Sequence, residues 1–286
     1  MEPKFEPLTD TIGSLEALDG PAEKLQQAVK KVVPDDSDAK DVLSGTWLGH
    51  PLHPPLTDFV IGVWTGATAL DLLAPRSGRK AADRLVFLGI LGAVPTAATG
   101  LSDWADLWGH QRRVGLVHAG GNVLALYLQM KSWWARKRGK RLKGVALSLS
   151  AMGLATVTAY LGGHLSFRKG VGVSQTAFEE WPQDFKAVLD VDELSAGQLT
   201  RAEVDGIGVL LYRKGSKIYA LSDRCNHRGC SLSDGETDGV TVTCPCHSST
   251  FRLEDGELVK GPATSPAPSY EVRRRGGKVE IRLPTP

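Results

Sequence analysis

The chain has 286 residues, enough for two domains of ordinary size, and a formal net charge of +2. This near-balance of charge gives no reason to expect a nucleic acid partner. The four cysteines all lie between positions 225 and 246. Such clustering argues against a disulfide framework spread over the fold and favours a local metal site.

The first segment, residues 1–47, contains no apolar run and more acidic than basic residues. A cleavable signal peptide needs a basic start and an apolar core, so we expect none here. We predict an acidic, exposed and partly helical N-terminal segment that carries no chemistry of its own.

Four apolar segments follow, each close to the length of about 17–20 residues that a membrane-spanning helix needs. They are residues 56–74, 85–101, 114–130 and 142–162. Their many small residues suit close helix packing in lipid, and tryptophans flank their ends as at a membrane interface. A soluble helical bundle is the alternative, but its helices would carry polar faces that these segments almost lack. We predict an all-α four-helix transmembrane bundle over residues 48–165, surrounded by the lipid bilayer.

The links between the apolar segments set the predicted orientation. Residues 75–84 and 131–143 carry an excess of Lys and Arg, whereas residues 102–113 carry two acids and two arginines. Basic links stay in the cytoplasm, so both termini and the middle link would face outward. We therefore predict a multi-pass protein of the cell membrane with its C-terminal domain on the outer face.

A polar linker over residues 166–184 leads into a second domain, residues 185–286. Short β-type runs alternate there with turns rich in glycine and aspartate. Many short strands at this spacing indicate an all-β sandwich or barrel, which we expect to consist of antiparallel sheets, and two of its loops contain both cysteine and histidine.

Those two loops carry metal-ligand residue types at fixed spacing. Cys225 and His227 form a Cys-x-His pair, and after sixteen intervening residues Cys244 and His247 form a Cys-x-x-His pair. This pattern resembles the Rieske family. The resemblance implies one [2Fe–2S] cluster, with the two cysteines on one iron and the two histidines on the other.

A zinc site with two Cys and two His ligands is the competing interpretation. Zinc loops usually place paired ligands two to four residues apart, and Cys-x-His is tight for that geometry. The flanking residues match Rieske loops instead, namely Gly229, Leu232, Pro245 and the later stretch 261–263. We therefore expect an iron–sulfur cluster rather than zinc.

The resemblance to quinol-oxidising Rieske proteins also makes predictions about neighbouring residues. It implies a disulfide between Cys230 and Cys246, and a hydroxyl of Ser249 that bonds a bridging sulfur. Phe251 stands where those proteins have a tyrosine that bonds a ligand sulfur, and Arg228 stands where they have a leucine that docks on the quinol site. Hydrogen bonds to sulfur raise the cluster potential, so we expect a potential below that of quinol-oxidising relatives.

The apolar half carries a second set of motifs. The stretches 49–59, 118–122 and 162–173 resemble a bacterial four-helix membrane domain of unknown function, which sometimes occurs fused to a Rieske domain. On the predicted topology its polar groups gather near the outer face. They are His50, His53, His110, His118, His164 and Asp58.

Intramembrane polar groups are costly and often functional. The interpretations left open are a b-type haem between His53 and His118, a quinone pocket, another metal, and interfacial histidines that bind only water and each other. Asp71 is predicted to be an end residue that snorkels to the interface.

The leading functional prediction is a membrane-anchored one-electron carrier that serves a redox partner protein or accepts electrons from a membrane donor. A redox sensor and a ferredoxin-like subunit of a larger respiratory or oxygenase complex are the alternatives. A Rieske oxygenase is disfavoured, because it needs a second iron site after the cluster domain and no histidine follows His247.

Overall fold

The computed structural model describes residues 6–284, with side chains from residue 8 onward, and it separates into two compact units. The helical unit contains the residues up to Val33 together with Leu52–Val171. The β unit contains Pro34–Pro51 together with the chain from Gly172 onward. The predicted boundary assigned residues 34–47 to the N-terminal segment, whereas the structure packs them with the β domain.

Seven α-helices lie within residues 6–284. They are α1 Glu6–Ser14, α2 Asp19–Val32, α3 Asp38–Ser44, α4 His53–Leu73, α5 Arg79–Trp104, α6 Gly109–Lys137 and α7 Arg141–Gly163. Helix α3 belongs to the β unit, and the other six form the helical unit. Helices α4 to α7 cover the four predicted apolar segments almost completely.

Three of these helices are long and apolar enough to cross a membrane. They are α4, α5 and the stretch Arg141–Arg168, in which α7 continues into a short π-helix. Helix α6 has sufficient length, but His118, Asn122 and Gln129 lower the hydropathy of its middle. The bundle thus contains four long helices as predicted, of which three are candidate membrane spans and α6 is the most polar.

A buried ion cluster joins all four bundle helices. The Arg136 guanidinium donates to Asp71 and, at 3.1 Å, to Asp83, and Arg141 donates to the same two carboxylates. The side chains of Arg136 and Asp71 are 0% and 1% exposed. The prediction that Asp71 snorkels to the interface is therefore wrong, because the carboxylate is paired inside the bundle. Removing one partner of such a buried pair typically costs about 3–5 kcal/mol.

Helices α1 and α2 contact the bundle through polar residues. These contacts lie at the ends of the bundle helices opposite the ion cluster. Asp19 accepts hydrogen bonds from Arg112 at 2.7 Å and from Arg113 at 2.9 Å. The hydrogen bonds from Arg113 and then Arg112 hold the pKa of Asp19 well below its usual range. The Gln26 amide donates to backbone carbonyls at the end of α5, including that of Leu107 at 2.8 Å. The N-terminal segment is thus partly integrated into the bundle.

The described part of the β unit, which ends at residue 284, contains ten strands in three antiparallel sheets. They are β1 Lys186–Asp190, β2 Leu199–Val204, β3 Ile207–Lys214, β4 Lys217–Ser222, β5 Glu236–Thr237, β6 Thr241–Thr243, β7 Thr250–Arg252, β8 Leu258–Lys260, β9 Glu271–Arg275 and β10 Lys278–Arg282. The strand orders are β1-β10-β9, β2-β3-β4 and β5-β6-β7-β8. The predicted fold class, an all-α bundle followed by an all-β domain, is confirmed.

Strand β3 lies between the two hydrophobic cores of the β unit. Val209 and Leu211 point into one core, while Leu210 and Tyr212 point into the other, because successive side chains of a strand face opposite sides. The second core also contains Phe251, which is fully buried. The same core contains Cys225 and Cys244, so it packs against both cysteine-containing loops.

Candidate metal centre

Two six-residue loops form the candidate site, and they share one backbone pattern. The first spans 225–230 after β4, and the second spans 244–249 between β6 and β7. In each loop, the first residue donates its N–H to the carbonyl of the sixth, at 2.8 Å in both cases. The fifth residue donates back to the carbonyl of the first, at 2.8 and 3.1 Å. Each loop is therefore closed by its own backbone hydrogen bonds.

The fifth position of each loop has a left-handed backbone. Gly229 adopts φ of +80°, and Ser248 adopts φ of +62° in the equivalent place. Glycine accepts this conformation freely, whereas a residue with a Cβ atom is strained there. The serine at 248 thus makes the second loop intrinsically less stable than the first.

The ligand-type side chains meet in two like pairs. Cys225 and Cys244 are buried, unbridged thiols that hydrogen-bond to each other. The rings of His227 and His247 are 5.1 Å apart between centroids and nearly perpendicular. Two neighbouring sulfurs and two neighbouring imidazoles form the donor set that a Rieske centre requires, one pair for each iron.

Backbone N–H groups point at both sulfurs. Those of His227 and Arg228 donate to Cys225, and those of Cys246 and His247 donate to Cys244. The Cys225 thiol also donates to Cys244, which lowers the pKa of Cys244 to about 7. The same bond, together with burial, raises the pKa of Cys225. The loops therefore offer donors to two thiolates, as iron binding requires.

A disulfide joins the two loops. Cys230 and Cys246 are bonded with an S–S distance of 2.02 Å, as the resemblance implied, so the predicted disulfide is confirmed. The sulfurs of these two residues and of Cys244 lie within 4.8 Å of one another. Because two of the three are oxidised to the disulfide, this trio offers a single thiolate and does not form a separate metal site.

A third loop closes the site from residue 261 to residue 266. The buried Ser249 hydroxyl accepts a hydrogen bond from the Ala263 N–H at 3.0 Å, which leaves its own proton available for another acceptor. The Asn226 amide donates to the carbonyls of Ser265 at 2.7 Å and Pro266 at 3.0 Å. Both ligand loops are thereby attached to the third loop.

Two residues that no sequence motif marks hold this third loop from the other side. Asp41 in α3 accepts the Gly261 N–H at 3.0 Å, and Thr46 donates to the Ala263 carbonyl at 3.1 Å. Burial raises the pKa of the Asp41 carboxyl. More than 200 residues separate these partners along the chain, and no motif marks them, so only the folded structure reveals the contact.

The predicted polar cluster of the apolar half is divided in the structure. The rings of His110 and His164 are 5.9 Å apart, with the Asp10 carboxylate 3.6 Å from His110. His50 is exposed and belongs to the β unit, and Asp58 is exposed on α4. His53 Nδ1 lies 3.0 Å from the Thr96 carbonyl, and His118 Nδ1 lies 2.8 Å from the Thr158 carbonyl, so each ring is bonded within its own helical hairpin.

Comparison with known proteins assigns both halves to families. Residues 184–271 match the family described as "Rieske [2Fe-2S] domain", and residues 49–175 match the family described as "Predicted membrane protein (DUF2231)". The predicted fusion of these two domains, and with it the [2Fe–2S] cofactor, is confirmed.

The similar proteins of assigned function match the β unit. The chain is 38% identical over 98 residues to the 3-phenylpropionate/cinnamic acid dioxygenase ferredoxin subunit of Escherichia coli K12 and to that of Shigella flexneri. Each match covers 34% of this chain and 89% of the relative. A solved ferredoxin of carbazole 1,9a-dioxygenase from Nocardioides aromaticivorans is 27% identical, with a TM-score of 0.34, over 36% of this chain and 100% of that one. The chain therefore belongs to the Rieske [2Fe–2S] family and carries a DUF2231 membrane domain before its Rieske domain.

Proposed function

We propose that this protein is a membrane-tethered Rieske ferredoxin that passes single electrons to an oxygenase-type partner protein. The observation that supports this proposal most directly is that two buried thiols and two adjacent imidazoles lie on two loops joined by a disulfide. The ferredoxin subunits that resemble the β unit over 89% of their own length support the choice of a carrier role. A Rieske cluster supplies a reversible one-electron couple.

We assign the four ligands as the sequence motif suggests. Cys225 and Cys244 would hold one iron, and His227 and His247 would hold the other. The backbone N–H groups that face each sulfur favour the thiolate form and offset negative charge. His227 is the more exposed of the two imidazoles, so its ring edge is the proposed exit for the electron.

Residues near that exit favour a partner other than a quinol site. Arg228 is half-buried beside His227, and the Arg224 side chain is 49% exposed on the same loop region. Arg228 places a cation where quinol-oxidising relatives have an apolar docking residue, and Arg224 lies 3.9 Å from the Glu179 carboxylate. Charge complementarity steers diffusional encounter and orients docking, so an acidic surface on the partner suits this face.

The helical unit would hold this carrier at the membrane. The DUF2231 match and three sufficiently apolar helices support membrane association. We propose that the β unit faces outward, since the basic links of the helical half favour the cytoplasm and a disulfide persists best in an oxidising compartment. Fusion of a phosphatase reporter and of a fluorescent reporter to the C-terminus tests this orientation, since only the phosphatase is active outside.

Electron paramagnetic resonance of the purified full chain tests the ligand assignment. The reduced protein should give a Rieske-type signal with about two irons per chain, and His227→Ala and His247→Ala should each abolish it. His50→Ala is the matched control, because this exposed histidine lies outside the loops and should leave the signal unchanged. One zinc per chain in place of iron, or a Rieske signal that survives both ligand variants, would overturn the assignment.

A further inference from the structure

The segment between the two family matches packs on the first ligand loop. Residues 176–183 lie outside both matched ranges. Residues 174–181, here called the strap, belong to the β unit, although the sequence predicts a linker there. The strap begins with a turn in which Ala177 donates its N–H to the Ser174 carbonyl at 3.2 Å. It therefore has a defined conformation where it meets the loop.

The strap is bonded to the residues on both sides of Cys225. On one side, Arg224 donates to the side-chain carbonyl of Gln175 at 3.3 Å and lies 3.9 Å from the Glu179 carboxylate. On the other side, the Gln175 N–H donates to the Asn226 carbonyl at 2.9 Å. Asn226 is 4% exposed, and a buried carbonyl needs such a donor. These contacts hold the strap against the first ligand loop.

Glu179 attaches the other end of the strap to the neighbouring sheet. Its carboxylate accepts hydrogen bonds from the Trp181 indole at 3.1 Å and from the Ser222 hydroxyl at 3.2 Å. Ser222 is buried at the end of β4, directly before the ligand loop. The position of the Gln175 N–H is therefore set by contacts of the strap with the sheet as well as with the loop.

One peptide group connects the strap to a ligand sulfur. Its carbonyl, that of Asn226, accepts the Gln175 N–H. Its N–H, that of His227, donates to the Cys225 sulfur. A trans peptide is planar, and its carbonyl and N–H point in opposite directions. A donor on the carbonyl therefore fixes the direction of the N–H and polarises it, as in other chains of hydrogen bonds.

The corresponding peptide group of the second ligand loop has different surroundings. Its N–H, that of Cys246, donates to Cys244, but the residue at the position of Asn226 is Pro245, which is exposed. The strap bonds only the buried carbonyl of the first loop among these two. Its effect is therefore expected at the Cys225 sulfur.

We propose that the Gln175 N–H is a positioning group that raises the reduction potential of the cluster through the Asn226 peptide and the Cys225 sulfur. Reduction adds negative charge to the cluster, and donors to the ligand sulfurs stabilise that charge. A more polarised donor stabilises it further. The strap begins three residues after the helical unit ends at Val171, so a segment that joins the two domains adjusts the potential. The inference deepens the proposed carrier function and rests on its ligand assignment.

Redox titration of the full chain, followed by the Rieske signal, tests the proposal with two variants at one residue. Gln175→Pro removes the N–H, and proline suits this position because it is the second residue of the turn that begins at Ser174. The equilibrium constant for reduction should fall by about threefold, or about 28 mV for one electron. Gln175→Ala is the matched control, because it removes the contact with Arg224 but keeps the N–H, and it should retain the potential.

The two variants separate positioning from stability. If the strap only stabilises the loop, both variants lower the temperature at which the signal disappears and leave the potential unchanged, which would overturn the proposal. An equal fall of the potential in both would also overturn it. Failure of Gln175→Pro to bind two irons would do the same, because the N–H would then be needed for assembly. A missing Rieske signal in the unaltered chain would instead refute the ligand assignment, and the inference with it.

Hydrogen exchange of the cluster-free chain gives a readout that does not need the cluster. The Gln175 amide should exchange slowly in the unaltered chain, because it is bonded to a buried carbonyl. The amide of the Gln175→Ala variant should be protected to a similar extent. Exchange of this amide at the rate of an unstructured peptide would overturn the proposal.

Discussion

The β unit and the helical unit each repeat one local structure around ligand-type side chains. In the β unit the repeated element is a six-residue loop, and the two copies lie within residues 225–249 and are joined by a disulfide. In the helical unit the repeated element is a helical hairpin, in which His53 on α4 bonds the Thr96 carbonyl of α5 and His118 on α6 bonds the Thr158 carbonyl of α7. The loops of the β unit are thus joined by a disulfide. The hairpins of the helical unit are joined by the buried ion cluster at the other end of their helices.

The largest effect is expected when the ion cluster of the helical unit is broken. Arg136→Leu leaves the Asp71 carboxylate buried with only the partly exposed Arg141 as partner, which should destabilise the helical unit by about 3–5 kcal/mol. Thermal unfolding in detergent, followed by helical circular dichroism, measures this. The Rieske signal should persist below the new transition, and simultaneous loss of that signal would contradict the separation into two units.

Removal of the disulfide in the β unit is expected to have the next largest effect on stability. Cys230→Ser combined with Cys246→Ser opens a loop of 16 residues and should cost the β unit about 3 kcal/mol. The temperature at which the cluster signal disappears reports the change in the full chain. Treatment of the unaltered protein with a membrane-permeant reductant is the control and should reproduce the shift. An unchanged transition would mean that the backbone bonds alone hold the loops.

A smaller effect is expected on the midpoint potential of the cluster. Phe251→Tyr adds a hydroxyl to the buried core that also contains Cys225 and Cys244, at the position where quinol-oxidising relatives have one. A hydrogen bond to a charged group is worth about 1.5 kcal/mol, which corresponds to about 60 mV for one electron, so the midpoint potential should rise by that amount. Redox titration followed by the cluster signal measures it. Phe251→Leu serves as the control without a hydroxyl, and an equal rise in both variants would remove the hydrogen-bond explanation.

The sequence predicts those parts of the site that depend on local spacing, but not those that depend on how distant segments pack. The ligands and the disulfide lie on two short loops, so Cys225, Cys244 and their neighbours form a recognisable spacing. The contacts of Asp41 with Gly261 and of His53 with Thr96 join residues 220 and 43 positions apart. They depend on how helices and loops pack, which periodicity does not reveal. For the same reason, the position of Asp71 in the sequence suggested an exposed residue at a helix end, whereas its carboxylate forms a buried ion pair.

The two ligand loops differ at their fifth residue. Exchanging glycine and serine at these positions tests whether the left-handed backbone conformation costs stability in both loops. Ser248→Gly relieves a left-handed backbone at φ of +62° and should stabilise the β unit by about 1 kcal/mol. Gly229→Ser is the matched variant and should destabilise it by at least as much, since a Cβ atom there would be 3.2 Å from Arg224 Nε. The thermal transition of the cluster signal reports both. Stabilisation by Gly229→Ser would show that the loops are not strained at this position.

The smallest effect concerns the carboxylate that holds the third loop. Burial raises the pKa of Asp41, so the folded β unit binds this proton more tightly than the unfolded chain does. The contribution is therefore greatest at acidic pH, declines as pH rises from the ordinary carboxyl pKa to the raised one, and is constant above it. Asp41→Asn keeps an oxygen acceptor for the Gly261 N–H and removes the titration. Denaturant unfolding of the full chain between acidic and neutral pH should thus show a shallower decline in the variant, whereas an identical pH profile would mean that another group carries the slope.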